Sequence, residues 1–204
     1  MAQYGKLEYW EDRYTRDQQP FEWFQRYVAL KPFFETEFDR KAKILQVGCG
    51  TSRLGEDMYE DGYTDIKCTD FSEKAIEIMS KRAVDKPGLT YAVEDVLLLT
   101  AQDEAQYDVV IDKGTLDSIL CGDGSFQNVQ KMLAGISKVL KPGGVFIEIS
   151  YGGNENRLPY LQVSDLGWTV SVNTVPKPQV GVTLPSSSTE GGEVHYIYKC
   201  RKGQ

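Results

Sequence analysis

Four places in this 204-residue chain bring together residue types able to hold a small polar ligand. The first is a glycine turn, "VGCGTS", Val47 to Ser52, directly after the apolar run "ILQV". Gly48 and Gly50 let the backbone turn tightly and let a ligand approach closely. A helix starting just after them would offer free N–H groups. The second is Asp70, which ends the next apolar run, "IKCTD", about 20 residues further on. A carboxylate there can accept two hydrogen bonds from a ribose diol; the alternative is a cap or first-turn acid for a helix starting at Ser72. The third is "VEDVLLL". Asp95 there can meet the exocyclic amine of adenine while the Val96 N–H meets a ring nitrogen, or Asp95 is a solvent-facing loop acid. The fourth is "DKGTLD". Asp112, Lys113 and Asp117 follow the buried run "YDVVI" and either line a site or cap and pair around the turn.

The glycine turn narrows the ligand. A dinucleotide fingerprint requires G-x-G-x-x-G, and the third position here is Arg53. A phosphate-binding loop of the Walker type requires Lys followed by Ser or Thr, which is absent. NAD and S-adenosylmethionine both present a ribose diol. S-adenosylmethionine carries no phosphate and needs no third glycine.

These residues must be positioned by a regular frame, and the patterning predicts one. Strands are expected at Lys43–Val47, Ile66–Thr69, Leu89–Val93, Tyr107–Ile111, Val145–Ser150, Thr169–Val175 and Val194–Cys200. Helices are expected at Arg53–Glu60, Ser72–Arg82 with Ser72 as N-cap, Phe126–Leu140 and Leu158–Asp165. "KPGG", Lys141 to Gly144, is expected to stop the long helix and turn the chain. Before the first strand, Lys6–Tyr14 and Trp23–Phe38 are aromatic and apolar at helical spacing, with Pro20 and Pro32 expected to interrupt them. "TLPSSSTEGGE", Thr183 to Glu193, reads as a mobile loop joining the last two strands. Alternating short apolar strands and helices predict an α/β fold: a doubly wound, Rossmann-like sheet of seven strands, helices on both faces. The last two strands lack a helix between them, so the C-terminal hairpin should be antiparallel. Residues 1–204 are expected to form one domain, with 1–40 a helical lid segment and 41–204 a catalytic core. Ligands of such sheets lie outside the carboxyl ends of the strands, where the strand order reverses.

Composition excludes other classes. The net charge of −7, with Lys and Arg dispersed, argues against a nucleic-acid partner. No apolar run approaches the ~20 residues of a membrane span, and the N-terminus lacks the apolar core of a signal peptide. Cys49, Cys68, Cys121 and Cys200 are scattered without a CxxC pair. They read as reduced thiols in the cytoplasm rather than a disulfide framework or zinc site. One histidine, His195, excludes multi-histidine metal sites and weakens any Ser-His-Asp scheme; no metal is expected.

At this point the chain resembles a class I, seven-strand S-adenosylmethionine-dependent methyltransferase over nearly its whole length. "EYWEDRY" (Glu8–Tyr14), "FEWF" (Phe21–Phe24), "VGCGTS" and "DKGTLDSIL" (Asp112–Leu120) are together similar to the eukaryotic lysine methyltransferases of elongation factor 1-alpha. "DKGTLD" is far more specific than the glycine turn. The resemblance implies that Trp10 and Tyr14 cover the cofactor, with Phe21 a further lid aromatic. It implies that Gly48 lies under the methionine portion and that Asp70 and Phe71 meet ribose and adenine. Asp95 and Val96 would meet the adenine, and Lys113 would line the methionine end. The product would be S-adenosylhomocysteine, the protein substrate elongation factor 1-alpha, and the enzyme a monomer. For lysine methylation the amine must be neutral, which an apolar, aromatic pocket favours; Asp112 or Asp117 would guide the ammonium in, with no histidine base required. Gln46 departs from the superfamily, which often has an acid two residues before the first glycine. Without it, the hold on the cofactor's amino group passes to other groups, backbone carbonyls or Asp112. Two alternatives stand: a methyltransferase for a small molecule, another protein or an N-terminal amine, and an inactive cofactor-binding partner subunit.

Overall fold

The computed structural model describes residues 3–178 and 194–204, so the loop expected over Thr183–Glu193 lies outside the described residues. Among the described residues, seven strands form one sheet: β1 (Ile44–Val47), β2 (Ile66–Asp70), β3 (Leu89–Val93), β4 (Tyr107–Lys113), β5 (Leu140–Ser150), β6 (Trp168–Pro176) and β7 (Val194–Lys202). Their order across the sheet is β3-β2-β1-β4-β5-β7-β6. β1 to β5 pair in parallel, and β7 pairs antiparallel with both β5 and β6. β7 inserts between β5 and β6, so the terminal hairpin closes the sheet with its later strand on the inside. The order reverses between β1 and β4, which leaves a crevice at their carboxyl ends.

Alternation along the strands builds two cores. Ile44, Val109, Ile111, Val145, Ile147 and Ile149 face one side, with residues of α2 (Tyr27–Glu37) and α3 (Leu54–Glu60). Leu45, Val47, Val110 and Phe146 face the other, with α6 (Ser125–Val139) and Leu161 of α7 (Asn154–Leu161). α6 shows the spacing that makes a helix amphipathic: Val129, Met132, Leu133, Ile136 and Val139 are all buried. α4 (Glu73–Arg82) is held at its start by Ser72, whose side chain accepts from the Ala75 N–H at 3.1 Å.

The differences from expectation have local causes. Leu140 ends α6 and opens β5, and Lys141–Gly144 turn the chain within β5 rather than before it. Tyr107 pairs with Leu140 and Val109 with Val145, so "KPGG" bulges between the two pairings, with Gly143 at φ +74. The helix expected at Leu158–Asp165 starts earlier, as α7, and is followed by a 3-10 turn at Ser164–Leu166. A 3-10 helix at Val96–Ala101 and α5 (Thr115–Leu120) were not expected. Pro32 lies inside α2 instead of interrupting it. The N-terminal segment also divides: α1 (Leu7–Arg16) packs through Trp10 and Tyr14 with Ala75 of α4, while Tyr27, Leu30 and Phe34 of α2 belong to the main core.

Ser72 lies two residues after Asp70 and caps the helix that follows, so it ties a site loop to the frame. Ser72→Ala should lower stability by about 1 kcal/mol. Urea unfolding should show a lower midpoint with an unchanged slope; an unchanged midpoint would mean that the cap adds nothing.

Candidate active site

A hollow of about 410 Å³ opens at the carboxyl ends of β2, β1 and β4, and the N-terminal segment walls it on one side. Gly48 (φ +55) and Gly50 (φ +49) are both left-handed, which favours glycine. The close approach they permit is made by the protein itself. A Cβ on Gly48 would stand 1.9 Å from the Thr115 Oγ1, and one on Gly50 2.5 Å from the Tyr14 hydroxyl. Thr115 donates to the Val47 carbonyl at 3.3 Å, which seats the turn after β4 on the turn after β1.

Asp70 is buried and faces the hollow. Its Oδ2 accepts from the Gly50 N–H at 2.8 Å and its Oδ1 from the Ser72 N–H at 2.9 Å. The carboxylate therefore holds the glycine turn as well as facing the hollow. Burial raises its pKa to about 6, against the pull of the two N–H groups. Asp95 caps the 3-10 helix, accepting from the Leu97 N–H at 2.9 Å, and lines the hollow with Val96 and Phe71.

The "DKGTLD" run does several jobs. Asp112 is fully buried, and its oxygens accept from the N–H groups of Thr115 at 2.7 Å and Leu116 at 2.9 Å. It caps α5 and is not among the residues lining the hollow. This corrects the expectation that Asp112 meets a substrate ammonium or takes over the duty of the missing acid. Its side chain is spent on the helix start, and burial raises its pKa to about 6. Asp117 does line the hollow, but as half of an ion pair. Its Oδ1 lies 2.6 Å from the Arg157 Nη2 and accepts from the Ser150 hydroxyl at 2.6 Å, while its Oδ2 accepts from the Tyr151 N–H at 2.9 Å. Beneath them on β5, the Glu148 carboxyl is fully buried with no hydrogen-bond partner among the described residues. Desolvation, with Asp112 and Asp117 nearby, pushes its pKa well above the usual carboxylate range.

Lys113 carries the strongest constraint. Its side chain is 3% exposed, and its ammonium lies 2.9 Å from the Glu22 Oε2 and donates to the Trp23 carbonyl at 2.9 Å. Burial pulls its pKa below the ordinary value; Glu22 opposes this. Glu22 also accepts from the Ser52 hydroxyl at 2.8 Å and the Arg53 N–H at 2.5 Å, at the start of α3. One carboxylate thus joins the N-terminal segment, the glycine turn and β4. Around it, Phe24 has φ +59, and the Gln25 N–H donates to the Trp23 carbonyl at 2.7 Å, a tight three-residue turn that stores strain beside the site. The Phe24 ring occupies the space over Gly114, where an added Cβ would meet it at 3.0 Å. Gln25 Nε2 donates to the Pro176 carbonyl at 2.7 Å and lies 3.0 Å from the His195 Nδ1, which acts as acceptor. His195 contacts the N-terminal segment through Gln25 and does not line the hollow.

The structure therefore brings Trp10, Tyr14, Phe21, Gly48, Gly50, Asp70, Phe71, Asp95, Val96, Lys113 and Asp117 to one hollow. Trp10 and Tyr14 stack with ring centroids 5.7 Å apart, and Phe21 packs edge-on to Trp23 at 5.4 Å. Gln46 is buried on the same wall, its Oε1 accepting from the Cys68 thiol at 3.5 Å. Sequence reasoning missed Glu22 and Arg157. The quoted "FEWF" contained Glu22, and an acid amid aromatics was the available signal. Arg157 gave none.

The donor set suits a cofactor bearing adenosine and a positive charge. Asp70 and Asp95 offer acceptors, and aromatic rings of the N-terminal segment favour a cation. Three cations line the hollow and each is engaged, Lys113 with Glu22, Arg157 with Asp117 and Arg13 over the Phe21 ring at 5.0 Å, an arrangement that suits a pyrophosphate poorly. Among the described residues no group of three His, Cys, Asp or Glu is placed to hold a metal.

A family profile described as "Methyltransferase domain" matches residues 38–199, and the chain belongs to that family: it is a methyltransferase. Among curated relatives, EEF1A lysine methyltransferase 4 of Mus musculus is 30% identical over 182 residues, covering 84% of this chain and 71% of that protein. The eEF1A lysine and N-terminal methyltransferase of Bos taurus is 34% identical over 182 residues, covering 87% of this chain but 26% of that longer protein. Among solved structures, a SAM-dependent methyltransferase from Methanosarcina mazei aligns with a TM-score of 0.63 at 14% identity, covering 84% of this chain and 97% of that one. Magnesium protoporphyrin IX methyltransferase from Synechocystis PCC 6803, solved with bound SAM, aligns with a TM-score of 0.60 at 14% identity, covering 86% and 78%. At those identities the structures bear on the fold alone.

The Glu22–Lys113 pair yields a prediction. Glu22→Ala leaves a buried ammonium without its counter-charge and should cost about 3–5 kcal/mol. Adding Lys113→Met should recover most of that loss in the double variant, because the unpaired charge is then gone. Chemical denaturation of the three proteins decides this; a double variant no more stable than Glu22→Ala would remove the pair from this role.

Proposed function

We propose that this chain is an S-adenosylmethionine-dependent protein-lysine N-methyltransferase acting on elongation factor 1-alpha, a cytosolic monomer with its thiols reduced. The observation that carries the substrate is the similarity along 71% of EEF1A lysine methyltransferase 4, in a chain whose hollow suits this cofactor. When bound, S-adenosylmethionine supplies a methyl group on a sulfonium centre, leaving as S-adenosylhomocysteine.

The chain's own residues bind, orient and dry the site. Asp70 accepts from the ribose hydroxyls with the lone pairs its two backbone donors leave free. Asp95 and the Val96 N–H take the adenine edge, with Phe71 beside them. Trp10, Tyr14 and Phe21 exclude water and present aromatic faces to the positive charge. Lys113, neutralised by Glu22, fixes the lid against β4 and adds no net repulsion to that charge. A lysine amine, with a reference pKa of about 10.4, must shed its proton to attack. An apolar, aromatic surround favours the neutral amine, and the proton leaves to solvent without a dedicated base. His195, held by Gln25, serves the lid.

Labelled methyl transfer to full-length elongation factor 1-alpha, with mass spectrometric mapping, should place the label on lysine. Label in a small-molecule pool and none on the factor would overturn the reading; label on an N-terminal amine would correct the acceptor.

The cofactor site predicts a pH dependence. The Asp70 pKa stands raised at about 6, and hydroxyl donors favour its ionised form. Binding therefore lowers that pKa and releases a proton. S-adenosylhomocysteine affinity should be flat above pH 6 and fall as the pH drops below it, approaching about tenfold per unit. Asp70→Asn should weaken binding by about 1.5–3 kcal/mol and flatten the profile. Calorimetry across pH 5 to 8 checks both, and an unchanged slope in the variant would remove Asp70 from the ribose role.

A further inference from the structure

A second hollow, of about 690 Å³, opens beside the first, between the start of α6, α7 and the ends of β6 and β7. Tyr151 and Arg157 line both, so the two hollows share one partition. We infer that this second hollow receives the polypeptide on either side of the target lysine, and that the lysine side chain crosses Tyr151 into the first hollow. The inference rests on the methyltransferase reading above and names the part of the protein that recognises its substrate.

Three observations carry it. The first is direction. Asp70, Phe71, Asp95 and Val96 lie at the β2–β3 end of the cofactor hollow, and Asp117, Tyr151 and Arg157 at the β4–β5 end. With adenosine at the first end, the acceptor has to enter from the second, and that is where the second hollow adjoins.

The second observation is the partition's tolerance of an ammonium. The Tyr151 ring face is able to hold an ammonium, since the Lys177 Nζ lies 4.6 Å from its centroid, and the acceptor lysine takes that place by displacing Lys177. The partition's own cation, Arg157, is neutralised by Asp117 at 2.6 Å, so it does not repel an incoming lysine. Asp117 also fixes the Tyr151 backbone by accepting from its N–H at 2.9 Å.

The third observation is size and lining. A lysine side chain alone needs no second hollow of this volume, whereas flanking residues fill one. Phe126 and Tyr151 are large side chains left 54% and 63% exposed. The Phe126 ring packs against Tyr160 at 6.0 Å, and Tyr196 and Pro159 continue the wall. Such a surface suits the side chains of a docked polypeptide, where aromatic anchors carry much of the affinity.

The test measures binding as well as turnover. Binding of full-length elongation factor 1-alpha, with S-adenosylhomocysteine present to prevent reaction, should weaken about tenfold in Phe126→Ser and in Tyr151→Ala, with a matching rise in its KM. Tyr151→Phe, which keeps the ring, should stay within about twofold of wild type. Phe126→Ser, which touches only the second hollow, should bind S-adenosylhomocysteine as wild type does, which also reports that it is folded. Acceptor binding by Phe126→Ser and Tyr151→Ala within about twofold of wild type would overturn the inference while the wild-type methylation of the factor stands. If wild type methylates a different protein, the choice of substrate falls and the same ratios on that protein decide the docking site. Label confined to small molecules overturns both.

Discussion

Lys113 ends a buried strand with an ammonium group nearly sealed from water, and a charge in that position requires an opposite one within reach. Glu22 provides it, from a segment 91 residues earlier in the chain. The same carboxylate takes the Ser52 hydroxyl and the Arg53 N–H, so neutralising Lys113 also seats the N-terminal segment on the glycine turn. Phe24 is then carried over Gly114 in a strained turn, and Gln25 reaches Pro176 and His195 at the far side of the sheet. The walls of the cofactor hollow follow from where this one charge has to be met.

The same logic explains why "DKGTLD" is specific. Asp112 caps α5, Lys113 pairs with Glu22, and Gly114 takes φ +93 under the Phe24 ring. Thr115 fills the space above Gly48, Leu116 enters the core, and Asp117 holds Arg157 and the Tyr151 backbone. Each position answers a different physical demand, so few other residue types satisfy the run. The glycine turn is less selective, because any chain segment approaching a left-handed turn closely makes a similar demand.

Methyl transfer asks the protein chiefly to orient two reactants and to remove water. The arrangement matches that demand. Its polar groups are engaged with one another or with backbone N–H groups, and its aromatic segment closes over the crevice where the strand order reverses. Asp112 and Glu148 sit one layer behind, buried, and shape the β4–β5 end without facing the ligand hollow.

Much of the fold was legible because its signals are local. Apolar runs of strand length, amphipathic spacing in Phe126–Leu140, the Ser72 cap and the missing helix before the last strand are each read within a few residues. So were Gly48, Gly50, Asp70 and Asp95, since their places at strand ends follow from the alternation. α5 was not legible: "TLDSIL" is a single short helix, stabilised by a carboxylate, Asp112, that precedes it and by Leu116 in the core. The placement of β7 inside β6 was likewise decided by pairing across the sheet. The class of fold, and the sheet edge at which the hollow opens, were thus readable along the chain. Which carboxylate lines the hollow, which is consumed by a helix start, and how Glu22 and Arg157 pair around it were settled by tertiary packing. The reason is that a strand-end side chain takes whichever partner the distant segments bring to it, and spacing along the chain does not encode that meeting.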